Sequence, residues 1–508
     1  MNIDPNREDL NVGVVGAGAM GRGIAQVAAA GGCQVKLYDA NNDATKEAAE
    51  FIGKMLKRNV EKGRMSAEDA DVAIANIEVI DAMSGFADCE IVIEAVVENL
   101  DIKHIVFREL ETIVGPETII ASNTSSLSVT TIASACEMPE RVAGMHFFNP
   151  VPLMKLVEVI DGVRTDPAAG DVLMGLGKRM GRAPVRVADA PGFLVNQVGR
   201  GYNIECAHIV SDGVANFADV DRICRDAVGF RMGPFELMDL TAVDVTHPAT
   251  ELIYSQFYHE PRYRPATLMQ MHLDAGILGR KVGQGFYTYV DGKAQVDGEA
   301  QAPAFDGRPV WISNAEPEAA EKLIAIVKAA GATVESGAAP SDGALILVTP
   351  IGSDATDCAV SEGLDASRTI AVDSVYGLDK RRTLMKTAIT KSEFVDAAHG
   401  LLGGGDVPAT VIGDTPGFIA QRAVAAICNI GCAVAQARTA TPDDIDMAVV
   451  LALNYPMGPL SFGDAIGATT VLKILRNIQR LTGDPRYRPT PWLRRRAELG
   501  VSLLTPES

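Results

Sequence analysis

The stretch NVGVVGAGAMGRGIAQVAAA, residues 11–30, determines how the first part of this chain folds. It opens as a buried strand, turns through glycines and continues as an apolar helix. Within the turn, Gly16 permits a tight bend, Gly18 lets backbone amides approach a pyrophosphate, and Gly21 lets the helix pack closely on the strand. The pattern GxGxxG between a strand and a helix therefore predicts a dinucleotide-binding loop. The loop comprises Gly16, Ala17, Gly18, Ala19, Met20 and Gly21.

The second predicted strand, QVKLYD at 34–39, ends on an acidic residue. A carboxylate at the position of Asp39 accepts hydrogen bonds from the ribose hydroxyls of a dinucleotide and repels a 2′-phosphate. We therefore expect NAD rather than NADP as the cofactor. The alternative is a structural glycine turn followed by a surface aspartate.

Strands and helices alternate from the glycine turn to about residue 190. The further apolar runs of strand length are EIVIEAV at 90–96, TIIASN at 118–123, RVAGMHFF at 141–148, KLVEVI at 155–160 and PVRVAD at 184–189. Such alternation predicts an α/β fold with a parallel, doubly wound Rossmann sheet. After about residue 190, long apolar helical stretches with few β-branched runs predict an all-α domain.

The chain repeats itself. DAPGF at 189–193 recurs as DTPGF at 414–418, and PRYRP at 261–265 recurs without change at 485–489. An MGP triplet between these two segments also recurs. The three matches occur in the same order and at nearly the same separation along the chain, which predicts a duplicated helical domain. Residues 308–410 separate the two copies and resemble a degenerate α/β unit. No GxGxxG follows its first strand, RPVWISN, so we expect that unit to hold no dinucleotide.

The length of 508 residues requires several domains, because single cores usually serve about 100–200 residues. The expected order is a Rossmann domain, a helical domain, a linker, a degenerate Rossmann-like unit and a second helical domain. Their predicted boundaries are 1–188, 189–290, 291–307, 308–410 and 411–508.

Composition excludes several classes of protein. Hydrophobic residues make up 47% and charged residues 22%, as in a globular protein, and the net charge of −19 argues against a nucleic-acid binder. The eight cysteines contain no CxxC pair, which suits reduced thiols. We see no secretory signal and no apolar run of the roughly 18–20 residues that a membrane helix needs. We expect a cytoplasmic protein that binds neither nucleic acid nor membrane.

Longer motifs follow one another between the second strand and about residue 290. They are VIEAVVENLDIK at 92–103, ASNTSSL at 121–127, HFFNPVPLMKLVEVI at 146–160, DAPGFLVNQ at 189–197, FRMGPFELMDL at 230–240 and GRKVGQGFY at 279–287. In sequence and order they resemble the L-3-hydroxyacyl-CoA dehydrogenase family. The resemblance implies an enzyme that oxidises an (S)-3-hydroxyacyl-CoA to a 3-oxoacyl-CoA while hydride passes to NAD.

Oxidation of a secondary alcohol requires a base that takes the hydroxyl proton. His146 ends a predicted strand, where ligands gather in a doubly wound fold, and its near-neutral pKa in model compounds suits this role. Glu158 lies on the neighbouring predicted strand, where it can hold the second ring nitrogen and stabilise imidazolium. This arrangement resembles the family's His–Glu pair. The alternative is a core histidine with satisfied hydrogen bonds.

Ser125 follows an apolar strand, where its hydroxyl can bond the substrate's C3 oxygen and the nicotinamide carboxamide. By resemblance, Ser125 and Asn196 are both polar partners of the reacting oxygen; a helix cap and a solvated amide are the alternatives. Further cofactor contacts implied by the resemblance are Glu98, Lys103, Asn149 and Lys281. The remaining histidines show no HxH or HExxH spacing and hydride transfer needs no metal, so we expect none.

A cluster of cations lies on one predicted helix face: Lys54, Lys57, Arg58 and Lys62. On an acidic chain such a face suits the phosphates of coenzyme A. The alternative is a solvated helix face. The family resemblance points to Lys62 as the CoA contact.

The second half departs from the family's short form, because Gln421 replaces the equivalent of Asn196 and no His–Glu pair is present. We expect one active site per chain and an internal pseudo-dimer of the two helical domains, with further homo-oligomers left open. A chain of this length with a duplicated helical domain is similar to bacterial 3-hydroxyacyl-CoA dehydrogenases of phenylacetate degradation, which act on 3-hydroxyadipyl-CoA. The distal carboxylate of that substrate requires a cationic partner, and the candidates are Arg200, Arg231, Arg262 and Arg264.

Three alternatives stay open. One is a 3-hydroxybutyryl-CoA dehydrogenase with a short apolar pocket. Another is a non-catalytic relative that has kept the fold for binding or structure, as crystallin-type relatives do. The third is a different Rossmann oxidoreductase acting on a small hydroxy acid, which would be expected to use a lysine base near the domain junction.

Overall fold

The structure, a computed structural model, describes residues 3–296 and 298–507. The chain divides into two compact units. The first comprises residues 1–197 with 437–453, and the second comprises residues 198–436 with 454–508. Each unit contains a sheet covered by helices and a buried apolar core.

An eight-stranded sheet forms the centre of the first unit. Its strands are β1 (Asn11–Val15), β2 (Gln34–Tyr38), β3 (Ile77–Val79), β4 (Ile91–Glu94), β5 (Ile119–Ser122), β6 (Val142–Phe147), β7 (Leu156–Asp161) and β8 (Ala183–Ala188). They lie in the order β3-β2-β1-β4-β5-β6-β7-β8. The predicted Rossmann sheet is confirmed, with one difference. β6 and β7 are antiparallel, because the loop 148–155 between them is too short for a parallel crossover.

Helices cover both faces of this sheet, as its buried central strands require. They are α1 (Ala19–Ala30), α2 (Asn42–Glu61), α3 (Ala67–Ala75), α4 (Leu100–Ile113), α5 (Val129–Ala133) and α6 (Pro167–Arg179). Polar side chains start several of them. Asn41, Asn99 and Asp166 each accept a hydrogen bond from a backbone N–H of the first turn.

One further helix of the first unit comes from near the end of the chain. The strand β8 ends at Ala188, whose N–H donates to the carbonyl of Thr439 at 2.8 Å. The helix Pro442–Leu453, called α16 in chain order, then packs against β7 and β8. A segment of the second helical copy therefore forms part of the N-terminal unit.

Helices also form most of the second unit. Its first copy of the helical domain contains α7 (Val195–Ser211, which begins in the first unit), α8 (Phe217–Ile223), α9 (Pro234–Thr241), α10 (Val243–Gln256) and α11 (Thr267–Asp274), followed by the hairpin strands β9 (Thr288–Val290) and β10 (Lys293–Gln295). The second copy contains α15 (Ile419–Gln436), α17 (Pro459–Ile466), α18 (Ala468–Thr482) and α19 (Pro491–Leu499).

A smaller sheet lies between the two helical copies in sequence. It consists of β11 (Val310–Ile312), β12 (Leu345–Val348), β13 (Thr369–Val372), β14 (Arg382–Lys386) and β15 (Ala409–Ile412), in that order, with helices α12 (Pro317–Ala329), α13 (Ala355–Ser361) and α14 (Ser392–Gly403). Along the sheet the pairings are parallel, parallel, antiparallel and parallel. This is the sequence of pairings from β4 to β8, so the predicted degenerate α/β unit is confirmed.

The register of the two sheets relates individual residues. In the first sheet His146 pairs with Glu158 across β6 and β7. In the second, the N–H of Asp373 donates to the carbonyl of Thr383 at 3.0 Å, one step beyond the pairing of β13 with β14. Thr383 follows Glu158 at the same spacing by which DTPGF follows DAPGF. Asp373 and Thr383 therefore stand where His146 and Glu158 stand in the first sheet.

Among the described residues, α15 is long and apolar enough to cross a membrane by length and composition. Its 18 residues have a mean hydropathy of 1.2, but 83% of them are buried inside the protein. That burial is the pattern of a core helix.

Candidate active site

The glycine turn between β1 and α1 has the backbone geometry of a dinucleotide-binding loop. Gly16 has a φ of +106°, and a Cβ there would lie 2.6 Å from the carbonyl oxygen of Ala95. A Cβ on Gly21 would lie 1.7 Å from the carbonyl oxygen of Gly16. A Cβ on Gly18, by contrast, would meet nothing within 4 Å, so this side of the loop is open. The helix begins at Ala19, and its unpaired N–H groups suit a pyrophosphate at that opening.

Asp39 follows β2, and its carboxylate contacts the same loop. Oδ2 accepts a hydrogen bond from the N–H of Ala17 at 2.7 Å, and Oδ1 accepts one from Asn41 at 2.9 Å. The carboxylate therefore lies beside the glycine loop, where ribose recognition requires it. The open side at Gly18 and this acidic group fit the predicted dinucleotide.

His146 lies in β6 and contacts Glu158 in β7. Nδ1 of His146 is 2.6 Å from Oε2 of Glu158. Glu158 is fully buried, and its Oε1 accepts hydrogen bonds from the N–H groups of Leu194 at 3.1 Å and Val195 at 2.9 Å. These donors, at the start of α7, fix the position of the carboxylate. A carboxylate at Nδ1 keeps the proton on that nitrogen and leaves Nε2 as the basic one.

Aromatic rings surround the imidazole of His146. The ring centroid of Phe148 lies 4.4 Å away and that of Phe193 lies 5.9 Å away. His146 is itself only 5% exposed. The resulting poorly hydrated surroundings strengthen the electrostatic interaction between the ring and Glu158.

Ser125 and Asn196 are brought together. Nδ2 of Asn196 donates to the carbonyl oxygen of Ser125 at 3.2 Å, and the side chain of Ser125 is exposed. Glu98 accepts hydrogen bonds from the Ser125 N–H at 2.9 Å and from its hydroxyl at 3.4 Å. Burial favours the neutral acid, but Lys103 and the hydrogen bonds from Thr124 and Ser125 hold the pKa of Glu98 below its ordinary value.

Lys103, a predicted cofactor contact, is buried and contacts two carboxylates. Its Nζ lies 2.7 Å from Oε1 of Glu94 and 3.4 Å from Oε2 of Glu98, and its side chain is 1% exposed. The sequence analysis did not single out Glu94, the buried partner of this predicted cofactor contact. The available signal was a charged residue inside the apolar run EIVIEAV, where a buried carboxylate needs a cationic or hydrogen-bonding partner.

A cavity of about 390 Å³ opens between α1, α2 and the loop after β6. Arg58 and Lys62 from the predicted cationic cluster line it, whereas Lys54 and Lys57 lie outside the lining. The structure adds two cations that the helix-face argument could not include. They are Arg22 and Arg64, which come from α1 and from the turn after α2.

The remaining predicted cofactor contacts lie in different places. Asn149 lines the same cavity as Lys62. Lys281 belongs to the second unit, where its Nζ lies 2.5 Å from Oδ2 of Asp244 and the side chain is 46% exposed. Its contact with a cofactor stays a prediction.

The second sheet has its own cluster at the equivalent position. Gln421, the counterpart of Asn196, donates from Nε2 to Oδ1 of Asp373 at 2.9 Å and accepts from the N–H of Gly352 at 2.8 Å. Gln421 and Asp373 are both fully buried. The side-chain amide at the position equivalent to Asn196 is therefore engaged by hydrogen bonds within the protein.

Two family models match the chain. The model described as 3-hydroxyacyl-CoA dehydrogenase, NAD binding domain, matches residues 11–190. The model described as 3-hydroxyacyl-CoA dehydrogenase, C-terminal domain, matches twice, at residues 192–289 and 417–502. The double match confirms the predicted duplication of the helical domain.

Individual relatives match over the whole chain or over its first half. A 3-hydroxyadipyl-CoA dehydrogenase from Escherichia coli K12 is 35% identical over 488 residues, which cover 96% of this chain and 97% of the relative. A probable 3-hydroxybutyryl-CoA dehydrogenase from Bacillus subtilis is 40% identical over 276 residues, 54% of this chain and 96% of the relative. The crystal structure of a 3-hydroxybutyryl-CoA dehydrogenase from Escherichia coli K12 superposes with a TM-score of 0.86 at 33% identity, covering 97% of this chain and 99% of the other.

Proposed function

The chain belongs to the 3-hydroxyacyl-CoA dehydrogenase family of NAD-dependent enzymes, and from this premise we propose that it oxidises the 3-hydroxyl of 3-hydroxyadipyl-CoA. The product is the corresponding 3-oxoacyl thioester. The observation that carries the proposed mechanism is the 2.6 Å contact between Nδ1 of His146 and the buried carboxylate of Glu158. NAD, when bound, accepts the hydride that leaves C3.

His146 acts as the general base. With Nδ1 bonded to Glu158, the free lone pair of Nε2 takes the proton of the substrate hydroxyl. The ring becomes imidazolium, which the carboxylate of Glu158 stabilises. Because Oε1 of Glu158 accepts from the N–H groups of Leu194 and Val195, the carboxylate is held in place and orients the ring without taking the proton itself.

Ser125 and Asn196 hold the reacting oxygen. A hydroxyl and an amide can both donate to this oxygen while it changes from an alcohol to a carbonyl. The support is the 3.2 Å hydrogen bond that joins the two residues, together with the exposure of Ser125. Glu98 fixes the backbone of Ser125 from the other side.

The cationic cavity between α1 and α2 binds the phosphates of coenzyme A. Four cations line it, on a chain whose net charge is −19. Guanidinium and ammonium groups are the usual partners of phosphate oxygens in proteins. Lys62, which the family resemblance singles out, is one of them.

The choice of 3-hydroxyadipyl-CoA rests on the full-length relative of that name. The second candidate is 3-hydroxybutyryl-CoA, which the name of the structural neighbour favours. A distal carboxylate distinguishes the two acyl groups, and it calls for a cationic partner in the protein. Selectivity for the adipyl thioester is therefore the property that separates the candidates.

Of the four arginines considered for the distal carboxylate, two are engaged by other acidic groups. Arg262 and Arg264 form ion pairs at 3.0 and 2.7 Å. Arg200 is buried and donates to the hydroxyl of Thr250 at 2.6 Å and to the carbonyl of Thr246 at 3.1 Å, whereas Arg231 is exposed. Arg231 is therefore the residue to test.

The test is kcat/KM for both thioesters, followed as NADH formation. We expect the wild-type chain to prefer 3-hydroxyadipyl-CoA, and Arg231→Met to reduce kcat/KM for that substrate alone, by roughly tenfold or more. Arg264→Met is the matched control. A wild-type preference for 3-hydroxybutyryl-CoA would assign the second candidate, and no oxidation of either thioester would overturn the proposed reaction.

We also propose that the two helical domains form a pseudo-dimer within one chain. Arg264 pairs with Asp484 at 2.7 Å, and Arg488 pairs with Glu260 at 3.2 Å. Arg488 follows Arg264, and Asp484 follows Glu260, at the spacing that separates the two PRYRP segments. Exchanging the two copies therefore converts one contact into the other, as in a twofold-symmetric dimer interface.

Backbone contacts at the ends of two strands repeat the same relationship. The N–H of Ala188 donates to Thr439 in the first unit, and the N–H of Gly413 donates to Val214 in the second, each at 2.8 Å. Gly413 is the counterpart of Ala188 in the second half, and Val214 is the counterpart of Thr439 in the first half, both at the spacing of DAPGF and DTPGF. Each α/β part thus contacts the helical copy that belongs to the other half of the chain.

A further inference from the structure

A buried ion cluster lies where β4 and β5 end. Glu94 closes β4 and is fully buried. Its Oε1 accepts hydrogen bonds from Nζ of Lys103 and from the N–H of Val96, both at 2.7 Å. Its Oε2 accepts one from the hydroxyl of Ser122, which closes β5, also at 2.7 Å. Both oxygens of Glu94 are therefore held in place.

The cluster continues to the loop that carries Ser125. Nζ of Lys103 also lies 3.4 Å from Oε2 of Glu98. The other oxygen of Glu98 accepts from the N–H groups of Ser125 and Ser126 at 2.9 and 3.1 Å. We call Glu94, Lys103 and Glu98 the acid–lysine cluster.

The same cluster adjoins the dinucleotide-binding loop. β4 lies beside β1, with Glu94 paired to Val15. The next residue, Ala95, donates its N–H to Val15 at 2.7 Å, and its carbonyl oxygen is the atom that a Cβ on Gly16 would approach to 2.6 Å. In a doubly wound sheet the dinucleotide lies across the carboxyl ends of these strands. The acid–lysine cluster therefore adjoins the predicted dinucleotide-binding loop and also Ser125, which the proposed function places at the reacting oxygen.

The cluster carries one net negative charge, from two carboxylates and one ammonium. Glu94 and Lys103 form a buried pair of opposite charge, so the surplus charge lies on Glu98, whose side chain is 36% exposed. The nicotinamide ring is cationic in NAD⁺ and neutral in NADH. A negative charge in its vicinity favours the oxidised cofactor over the reduced one.

We propose that Glu94 and Lys103 are positioning residues that set the charge next to the nicotinamide and so fix the relative affinity for NAD⁺ and NADH. Lys103 neutralises one of the two carboxylates, and Glu94 keeps Lys103 buried and away from solvent. The inference rests on NAD binding, not on the identity of the acyl substrate. It can therefore fail while the proposed reaction stands, and the reverse also holds.

The test measures dissociation constants of the binary complexes of the full chain with NAD⁺ and with NADH, by titration calorimetry and NADH fluorescence. Glu94→Gln brings the net charge of the cluster to zero, and Lys103→Met makes it more negative by one unit. We expect Glu94→Gln to weaken NAD⁺ relative to NADH by roughly three- to tenfold, and Lys103→Met to shift the ratio by a similar factor in the other direction. The double variant restores the net charge and should restore the wild-type ratio.

Ser122→Ala is the matched control, because it removes one hydrogen bond from Glu94 without changing the charge. We expect its affinity ratio to equal that of the wild type. Should Glu94→Gln fail to fold, Glu98→Gln makes the same charge change at the less buried end of the cluster and should shift the ratio in the same direction. Opposite shifts in the two single variants support the proposal; shifts in the same direction, no shift, or an equal shift in Ser122→Ala would overturn it.

Discussion

Asp373 occupies in the second sheet the register position that His146 occupies in the first. Its carboxyl is fully buried, and Oδ1 accepts hydrogen bonds from Gln421 at 2.9 Å and from the N–H of Val375 at 3.0 Å. Oδ2 has no hydrogen-bond partner among the residues that the structure describes. Burial raises the pKa of Asp373 to about 6, although these hydrogen bonds oppose the shift. The position of the proposed base has become that of a structural carboxyl in the second half.

Asp373→Asn should stabilise the chain at neutral pH. Because the pKa rises from 3.8 to about 6 on folding, the carboxyl's contribution is fully present below about pH 4 and is lost as the pH rises to about 6. Asparagine keeps an acceptor for the same donors and carries no charge. We expect the free energy of unfolding to rise by roughly 1–3 kcal/mol at pH 7 and to stay unchanged at pH 4, measured by urea unfolding. Equal effects at both pH values would contradict this account.

Two glycines of the dinucleotide-binding loop should respond differently to alanine. Gly21→Ala places a Cβ 1.7 Å from a backbone oxygen and should destabilise the protein by at least about 2 kcal/mol. Gly18→Ala meets nothing within 4 Å, so the protein should fold normally while NAD binding weakens by roughly tenfold or more. Thermal unfolding and NAD titration separate the two effects. Normal NAD affinity in Gly18→Ala would place the pyrophosphate elsewhere.

Removal of a cation from the cavity between α1 and α2 should weaken coenzyme A binding. Lys62→Ala should raise KM for the acyl-CoA by roughly three- to tenfold with little change in kcat, since phosphate contacts bind the ground state and the transition state alike. Lys57→Ala is the matched control, because Lys57 lies on α2 but outside the cavity lining. Steady-state kinetics at fixed NAD measure both. A larger effect of Lys57→Ala would point to a different CoA surface.

The segment 1–290 expressed alone should not form a stable, active monomer. The fragment lacks α16, which packs against β7 and β8 in the first unit, and it lacks Asp484, the partner of Arg264. We expect it to associate with a second copy of itself or to precipitate, as seen by size-exclusion chromatography with light scattering. A soluble, fully active, monomeric fragment would contradict the proposed pseudo-dimer.

Local patterns predicted much of the fold. The arrangement of strand, glycine turn and helix around Gly16 could be predicted because steric contacts at the turn allow few other conformations. The alternation of apolar strand-length runs with helical segments predicted the sheet. The pairing of His146 with Glu158 was predicted from two neighbouring strands and from the family resemblance, and the antiparallel register of β6 and β7 places the two residues opposite each other. In each case the deciding residues lie close in sequence.

Long-range contacts escaped prediction. The spacing of apolar residues along α16 predicts a buried helix face, but it does not identify the element that covers this face. The packing of α16 on strands from the first half of the chain could therefore not be predicted. The pair of Glu94 and Lys103 is close in sequence, but its burial becomes evident only when β4 and α4 are placed together. Arg22 and Arg64 could not be assigned to the cationic cavity from the sequence, because they come from different elements.

The central claim is that His146, oriented by Glu158, removes the hydroxyl proton of a 3-hydroxyacyl-CoA. The most direct measurement is kcat for NADH formation from 3-hydroxyadipyl-CoA by His146→Gln at saturating NAD, with NAD affinity checked in the same preparation. The account predicts that kcat falls by about 10²–10⁴-fold while NAD binds as in the wild type. A variant that retains kcat within about tenfold would contradict the assignment of His146 as the base.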